Sequence, residues 1–177
     1  SPDLTSGIFV AGTTGSTTRL LANSISLSGD RGAVASQMPS FGIAVTGTDP
    51  IIELKDNAIA NTQIASGGGA SAKSYAIGLV TTTFANLDAN YNLYYATSSN
   101  PGFFRTGSLS TAAGTDYATL AAWQAAVADD ANSLYGDPLY VSASDLHLQA
   151  GSPALNAGLT LAAVTVDIDG DARANPP

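Results

Sequence analysis

A four-residue pattern, Leu-x-x-Asn, recurs along the chain as Leu20-Leu21-Ala22-Asn23, Leu54-Lys55-Asp56-Asn57 and Leu87-Asp88-Ala89-Asn90. The step is 34 residues from Leu20 to Leu54 and 33 from Leu54 to Leu87. Self-similarity at such an interval is the mark of stacked architecture, in which one unit cannot bury its apolar face alone and its neighbours complete the core. More of the unit repeats than the tetrad. Gly7-Ile8-Phe9-Val10, Gly42-Ile43-Ala44-Val45 and Ile77-Gly78-Leu79-Val80 precede the three copies, and Ser24-Ile25-Ser26-Leu27 and Ala58-Ile59-Ala60 follow the first two. Each unit therefore reads as a short apolar strand, a turn, Leu-x-x-Asn and a second apolar strand. This spacing predicts an aliphatic stack of Leu20, Leu54 and Leu87. At the turn, Asn23, Asn57 and Asn90 have two readings. They form a ladder of amide hydrogen bonds between layers about 4.8 Å apart, or each merely supplies left-handed backbone.

Composition supports strands over long helices, since Gly, Ala, Ser and Thr abound and only 11% of residues are charged. The formal net charge is −8, with only six Lys and Arg. Neutralising nucleic-acid phosphates or an anionic membrane surface needs clustered cations, so neither partner is expected. No run reaches the roughly 18 apolar residues of a membrane span, and no membrane insertion is expected. The absence of cysteine excludes disulfides, thiol catalysis and thiolate metal sites and leaves the compartment open. The opening Ser1-Pro2-Asp3 lacks a basic segment and apolar signal core, and the chain reads as part of a larger or processed polypeptide.

Residues 1–100 hold the repeated units, expected to be truncated on their N-terminal side. They are joined by Gly- and Ser-rich connections such as Ser28-Gly29-Asp30-Arg31-Gly32. After Asn100-Pro101 the pattern changes. Residues 116–127 read as one helix, with Thr119 as N-cap and Leu120, Trp123 and Val127 on a single apolar face. Asp137-Pro138 marks a turn, and residues 139–141 and 145–149 read as short strands. Residues 101–177 are thus expected to be the last coil and a cap of the same domain, with Leu120, Trp123 and Val127 packed on the coil they shield.

Several stretches in the second half carry a resemblance: Asn90-Tyr91-Asn92-Leu93-Tyr94-Tyr95, Leu120-Ala121-Ala122-Trp123-Gln124, Asp130-Ala131-Asn132-Ser133-Leu134, Gly136-Asp137-Pro138-Leu139-Tyr140-Val141, residues 146–158, and Asp167-Ile168-Asp169-Gly170-Asp171-Ala172-Arg173. In this order they resemble the C-terminal segment of bacterial right-handed parallel β-helix proteins of the pectin-lyase-like superfold, of the secreted or surface-anchored kind. In that family the Arg is usually followed by an Asp-Ile-Gly-Ala element, absent here. The resemblance implies an all-β fold, a right-handed parallel β-helix solenoid with a short helix and an irregular C-terminal cap. It also implies an extracellular or cell-surface bacterial location.

Asp167, Asp169 and Asp171 around Gly170 form the kind of oxygen array that Ca²⁺ accepts, although the downstream Glu of a full calcium loop is missing. The other reading is a structural turn closed by an Asp–Arg173 pair. Asp129 and Asp130 beside Asn132 read as a helix-end turn or a weak cation site. Asp56 and Asp88, with Lys55 adjacent, either line a carbohydrate groove or are solvated turn charges. Tyr91, Tyr94, Tyr95, Phe103 and Phe104 either offer a sugar-stacking platform or pack the junction with the cap. Asp56, Asp88, Tyr91 and Tyr94 are therefore the candidate glycan-binding residues. His147, the single histidine, alternates with Leu146 and Leu148 and reads as exposed. Gly67-Gly68-Gly69 lacks the Lys and helix of a phosphate loop.

No catalytic residue is assigned. The expected function is a non-catalytic structural, adhesive or glycan-binding domain of a larger bacterial protein, with polysaccharide or other surface proteins as partners. The alternatives are a fragment of a polysaccharide lyase or glycoside hydrolase, or a fibre subunit associating end to end.

Overall fold

A computed structural model describes residues 4–33, 38–67, 72–97, 101–111 and 113–173. Strands β1 (Thr5–Gly12), β4 (Ser40–Gly47), β7 (Ser74–Leu79) and β10 (Pro101–Thr106) pair in parallel, and β11 (Thr115–Tyr117) closes that sheet antiparallel to β10. A second sheet holds β2 (Thr17–Leu21), β5 (Ile51–Lys55) and β8 (Leu87–Asn90). The third holds β3 (Ser24–Leu27), β6 (Ala58–Asn61), β9 (Leu93–Ala96) and β12 (Leu134–Tyr135). Helix α1 (Leu120–Val127) lies between β11 and β12 in sequence.

The fold class is thereby corrected. The sequence pointed to an all-β right-handed parallel β-helix solenoid; the described residues form a mixed α/β arrangement of twelve strands in three mostly parallel sheets with one helix. The Leu-x-x-Asn repeat ends before Asn100, although β10 and β12 still extend the first and third sheets in parallel. Beyond it, β10 folds back on β11 and a helix follows, so one rule of pairing does not extend through the molecule. The predicted helix also begins later than expected, because Asp116 and Tyr117 belong to β11. Thr119 does cap it, its hydroxyl accepting from Ala122 N at 3.1 Å.

Register explains the core. Ile8, Ile43, Ile77 and Phe104 occupy matching positions in successive strands of the first sheet, as do Ile25, Ile59 and Tyr94 in the third. Parallel pairing in register puts like side chains above one another, and β-branched residues suit that pleated, two-sided burial. The predicted leucine stack needs revision at its third member. Leu20 faces Leu54, but Leu54 faces Ala89, and Leu87 faces Ile52. Trp123 and Val127 of α1 are buried in the same core, with Leu120 packed at its margin. Trp123 stacks on Phe104 with ring centroids 5.3 Å apart, and Phe104 meets Tyr94 edge-on at 5.1 Å.

Also within the first sheet, Phe41 stacks on Tyr75 at 4.8 Å, in a small cluster with Ala44 and Leu109 that is separate from the main core. The β10–β11 turn is braced by Arg105, which donates to Tyr75 Oη, Asp116 and the carbonyls of Ser108 and Thr111. Burial alone would raise the Asp116 carboxyl, but hydrogen bonds from Lys73 and Tyr75 and the Arg105 charge hold it below the usual carboxylate range.

The sheets approach so closely at Gly42 that a methyl there would overlap Ile59 Cγ2 and come within 2.6 Å of the Ala76 carbonyl oxygen. The Gly42→Ala variant is expected to lose about 1–3 kcal/mol of stability. Urea denaturation measures this, and an unchanged midpoint would contradict the packing described.

Candidate functional site

Each passage from the second sheet to the third is a tight corner. Ala22, Asp56 and Tyr91 stand at the corner with φ of 53°, 58° and 57°, a left-handed conformation that non-glycine residues seldom adopt. The next residue in each case is an asparagine: Asn23, Asn57 and Asn92. Asn23 Nδ2 donates to Asn57 Oδ1 at 2.8 Å, and Asn57 Nδ2 donates to Asn92 Oδ1 at 2.9 Å. The same amides serve the backbone, since Asn57 Nδ2 also reaches the Leu20 carbonyl and Asn92 Nδ2 the Leu54 carbonyl, both at 2.8 Å. A ladder therefore exists, with left-handed backbone immediately beside it, but its third member is Asn92 and not Asn90. Asn90 turns instead to cap the next layer, its Oδ1 accepting from Asn132 N at 2.8 Å.

The ladder ends on a buried carboxylate. Asp130, fully enclosed, accepts from Asn92 Nδ2 at 3.2 Å, Tyr94 Oη at 2.8 Å, Trp123 Nε1 at 2.8 Å and the Ser133 hydroxyl. Burial pushes its pKa up, while these donors hold it down. Its neighbour Asp129 accepts from Ala89 N at 3.0 Å. The pair of aspartates read from sequence as a helix-end turn or cation site thus joins the corner ladder to the helix.

The left-handed residues that flank the ladder line a recess of about 150 Å³ with Ser24, Asn132, Leu148 and Arg173. Its outer wall is the segment from residue 137 to 173, a strap with few regular elements. Asp56 is one of the lining residues. Its side chain is 2% exposed; Oδ1 accepts from Leu159 N at 2.7 Å, whereas Oδ2 accepts no hydrogen bond among the described residues. Arg173 Nη2 stands 4.0 Å from Oδ2, close enough for attraction and too far for a hydrogen bond. Burial raises the Asp56 pKa, opposed by the Leu159 amide and the Arg173 charge. A buried acceptor left without a donor costs about 1–3 kcal/mol.

Of the four candidate glycan residues, the structure brings Asp56 and Tyr91 to this recess and leaves two elsewhere. Asp88 lies on the outward face of the second sheet, where Lys55 Nζ meets it at 2.6 Å and Glu53 at 3.6 Å, with Arg19 on Glu53 in turn. Tyr94 is wholly buried, its pKa raised by burial and then by the Asp130 charge. Among the other aromatics, Phe104 packs in the core, and Phe103 and Tyr95 gather around Tyr135 at 5.6 and 6.1 Å.

The Asp167-to-Asp171 loop is a tight turn. Asp167 Oδ1 accepts from the amides of Asp169 and Asp171, and Asp169 Oδ2 lies 2.8 Å from His147 Nε2. Among the described residues no group of three or more metal-ligating side chains is placed to hold an ion. The Asp–Arg pair expected inside this loop is replaced by the reach of Arg173 to Asp56. His147 is exposed as expected, but it is clamped between Asp145 and Asp169. No protein-family model, curated protein or solved structure matches this chain.

Asp130→Ala leaves the Trp123, Tyr94 and Asn92 donors without their acceptor and is expected to cost about 3 kcal/mol or more, measured by urea denaturation; a loss under about 1 kcal/mol would refute the ladder terminus. The two carboxylates push the His147 pKa up to about 9, first through the Asp145 hydrogen bond and then through Asp169. A raised histidine pKa means the clamp contributes fully below the ordinary value near 6.5 and is lost as pH climbs through about 9. An NMR titration of the imidazole should show a midpoint near 9, and one near 6.5 would mean the clamp is absent in solution.

Proposed function

We propose that this chain is a non-catalytic glycan-binding module of a larger bacterial surface or secreted protein, with the recess beside Asp56 as its sugar site. The observation that carries the reading is the Asp56 Oδ2 atom, buried beside a cavity and lacking a hydrogen-bond donor. A sugar ring offers what this recess lacks and needs. A local movement that uncovers Oδ2, which has no free surface in this structure, would let one hydroxyl donate to it, while another accepts from Arg173 and an apolar ring face lies against the Tyr91 side chain. The cavity, about 150 Å³, has room for more than a single water. The site also stands on rigid support, since Asp56 and Tyr91 are each followed by a ladder asparagine that fixes the corner. The extracellular placement rests on the resemblance of residues 90–173 to secreted and surface-anchored bacterial proteins.

A glycan array followed by calorimetry tests the proposal. Asp56→Asn keeps the shape of the side chain and is expected to weaken binding at least about tenfold, as is Tyr91→Ala, with melting temperatures confirming that both variants fold. Binding through ionised Asp56 should weaken on acidification, because protonation at its raised pKa removes an acceptor. Full affinity in the Asp56→Asn variant would refute this site. Release of shortened or unsaturated sugar products from a polysaccharide would replace binding with catalysis as the function.

A further inference from the structure

The three sheets are finished at one end and open at the other. The first and third end in strands of only three and two residues, β11 and β12, short edges of the kind that resist further pairing. At the end of the second, Asp129 Oδ2 accepts from Ala89 N at 3.0 Å and Asp130 N donates to the Ala89 carbonyl at 2.9 Å. At the opposite end β1, β2 and β3 each pair on one side only. Ile51 N donates to the Ser16 carbonyl and Ala22 N to the Lys55 carbonyl, while Ala58 N and Thr62 N donate to the carbonyls of Asn23 and Leu27. The alternation of a parallel strand therefore turns the N–H and C=O of Arg19 and of Ser26 to the unpaired side. The core is also less covered there: Ile8 and Leu20 are half-buried, whereas Ile43 and Leu54, beside them in register, are fully enclosed. Exposed edges are commonly blunted by lysine or proline. These three strands contain neither, and Arg19 is their one charged residue.

The amide ladder specifies what fits on the open edge. Asn57 Oδ1 accepts from both N and Nδ2 of Asn23, at 3.0 and 2.8 Å, and Asn57 Nδ2 reaches back to the Leu20 carbonyl. Asn92 repeats all three contacts with Asn57 and Leu54. Asn23 makes none of the three toward its open side among the described residues, its Nδ2 turning instead to the Leu21 carbonyl and Asn57 Oδ1. The complement is thus a backbone N–H and a side-chain amide on one residue, with a backbone carbonyl three positions before it. We infer that the edge of β2 and β3 is a docking surface for a Leu-x-x-Asn segment of another polypeptide, laid parallel to these strands as one more layer. Strand addition of this kind takes its affinity from backbone hydrogen bonds and its selectivity from side chains. A second copy of this chain does not supply the complement, because its amide donors are already committed along the ladder and the ladder ends on Asp130, which accepts. The inference does not draw on the sugar-binding reading.

A fluorescently labelled peptide from Ile51 to Asn61 serves as the probe. It carries Leu54-Lys55-Asp56-Asn57, and in register its Glu53 stands over Arg19, the pairing that Glu53 already makes within the chain. Fluorescence anisotropy measures its binding to the intact chain, and amide hydrogen exchange locates it. The expected result is saturable binding, weakened about tenfold or more when the peptide carries Asn57→Ala, with slower exchange at the amides of Arg19 and Ser26. Ser26→Pro in the chain removes an outward N–H, a change that edge strands tolerate, and should abolish binding with the melting temperature little altered. The exchange pattern of the unaltered chain decides the location whether or not that variant folds. Absence of peptide binding would overturn the inference, as would protection confined to other amides. Equal affinity for the two peptides would remove the ladder as the recognition element. A concentration-dependent dimer of the chain alone that protects Arg19 and Ser26 would overturn the partner in favour of a second copy.

Discussion

The amide ladder from Asn23 through Asn57 and Asn92 to Asp130 is the constraint on which the rest depends. A corner between two sheets leaves backbone carbonyls pointing inward with no strand partner, and a buried carbonyl without a donor is costly. An asparagine side chain solves this because it carries two donors and an acceptor on one short stem. Asn57 Nδ2 alone serves Asn92 Oδ1 and the carbonyls of Leu20 and Lys55. Since the amide that satisfies one layer belongs to the next, the corners hold the three sheets in common register. Such a row of amides must terminate on a group that only accepts. Asp130 does so, and by also accepting from Trp123 and Tyr94 it ties the helix to the last corner.

The site follows from the same corner. A left-handed residue precedes each ladder asparagine, and the three such residues, Ala22, Asp56 and Tyr91, line one recess. Left-handed backbone is tolerated by aspartate, which bonds locally, and less readily by a bulky tyrosine. The ladder over-determines the corner and so permits a side chain there that propensity would refuse. The amides bear the structural duty at that point, and the residues beside them carry three different side chains, a methyl, a carboxylate and a phenol.

Much of this order was legible in the sequence, and the part that was not has a specific cause. The first step of the repeat, from Leu20 and Asn23 to Leu54 and Asn57, matches the observed pairing. The second does not. Asn57 bonds to Asn92, a step of 35 residues, where the Leu-x-x-Asn spacing indicated 33. A slip of one residue would have turned the apolar face to solvent and betrayed itself, but a slip of two keeps the same face inward. Leu87 and Ala89 therefore both satisfy the pattern, and only the hydrogen bonds decide between them. Asp130 was hidden for a different reason. A buried acid is recognisable only from the donors around it, and those come from residues 92, 94, 123 and 133, scattered along the chain. The same holds for Asp56, whose partners Leu159 and Arg173 lie more than a hundred residues away in sequence. The fold class was over-read because the repeat before Asn100 was taken to set the class of the whole chain, whereas the described residues also include an antiparallel strand and a helix.

The strap is built on a different principle from the sheets it covers. From residue 137 onward there is no strand longer than an isolated bridge among the described residues, and order comes from side-chain attachments at separate points. Tyr140 holds the Ala58 carbonyl, Leu159 and Arg173 hold Asp56, and His147 holds Asp169 within the strap itself. Segments with few buried apolar contacts and exposed backbone open at lower free energy than the core beneath them. Ile168, Val166 and Val141 are well exposed here, whereas Leu54, Ile59 and Ile77 are sealed. The strap thus forms a wall of lower stability over a rigid floor. The floor fixes the positions of Asp56 and Tyr91, and Arg173, 4.0 Å from Asp56 Oδ2, holds the wall to it by charge attraction without a hydrogen bond.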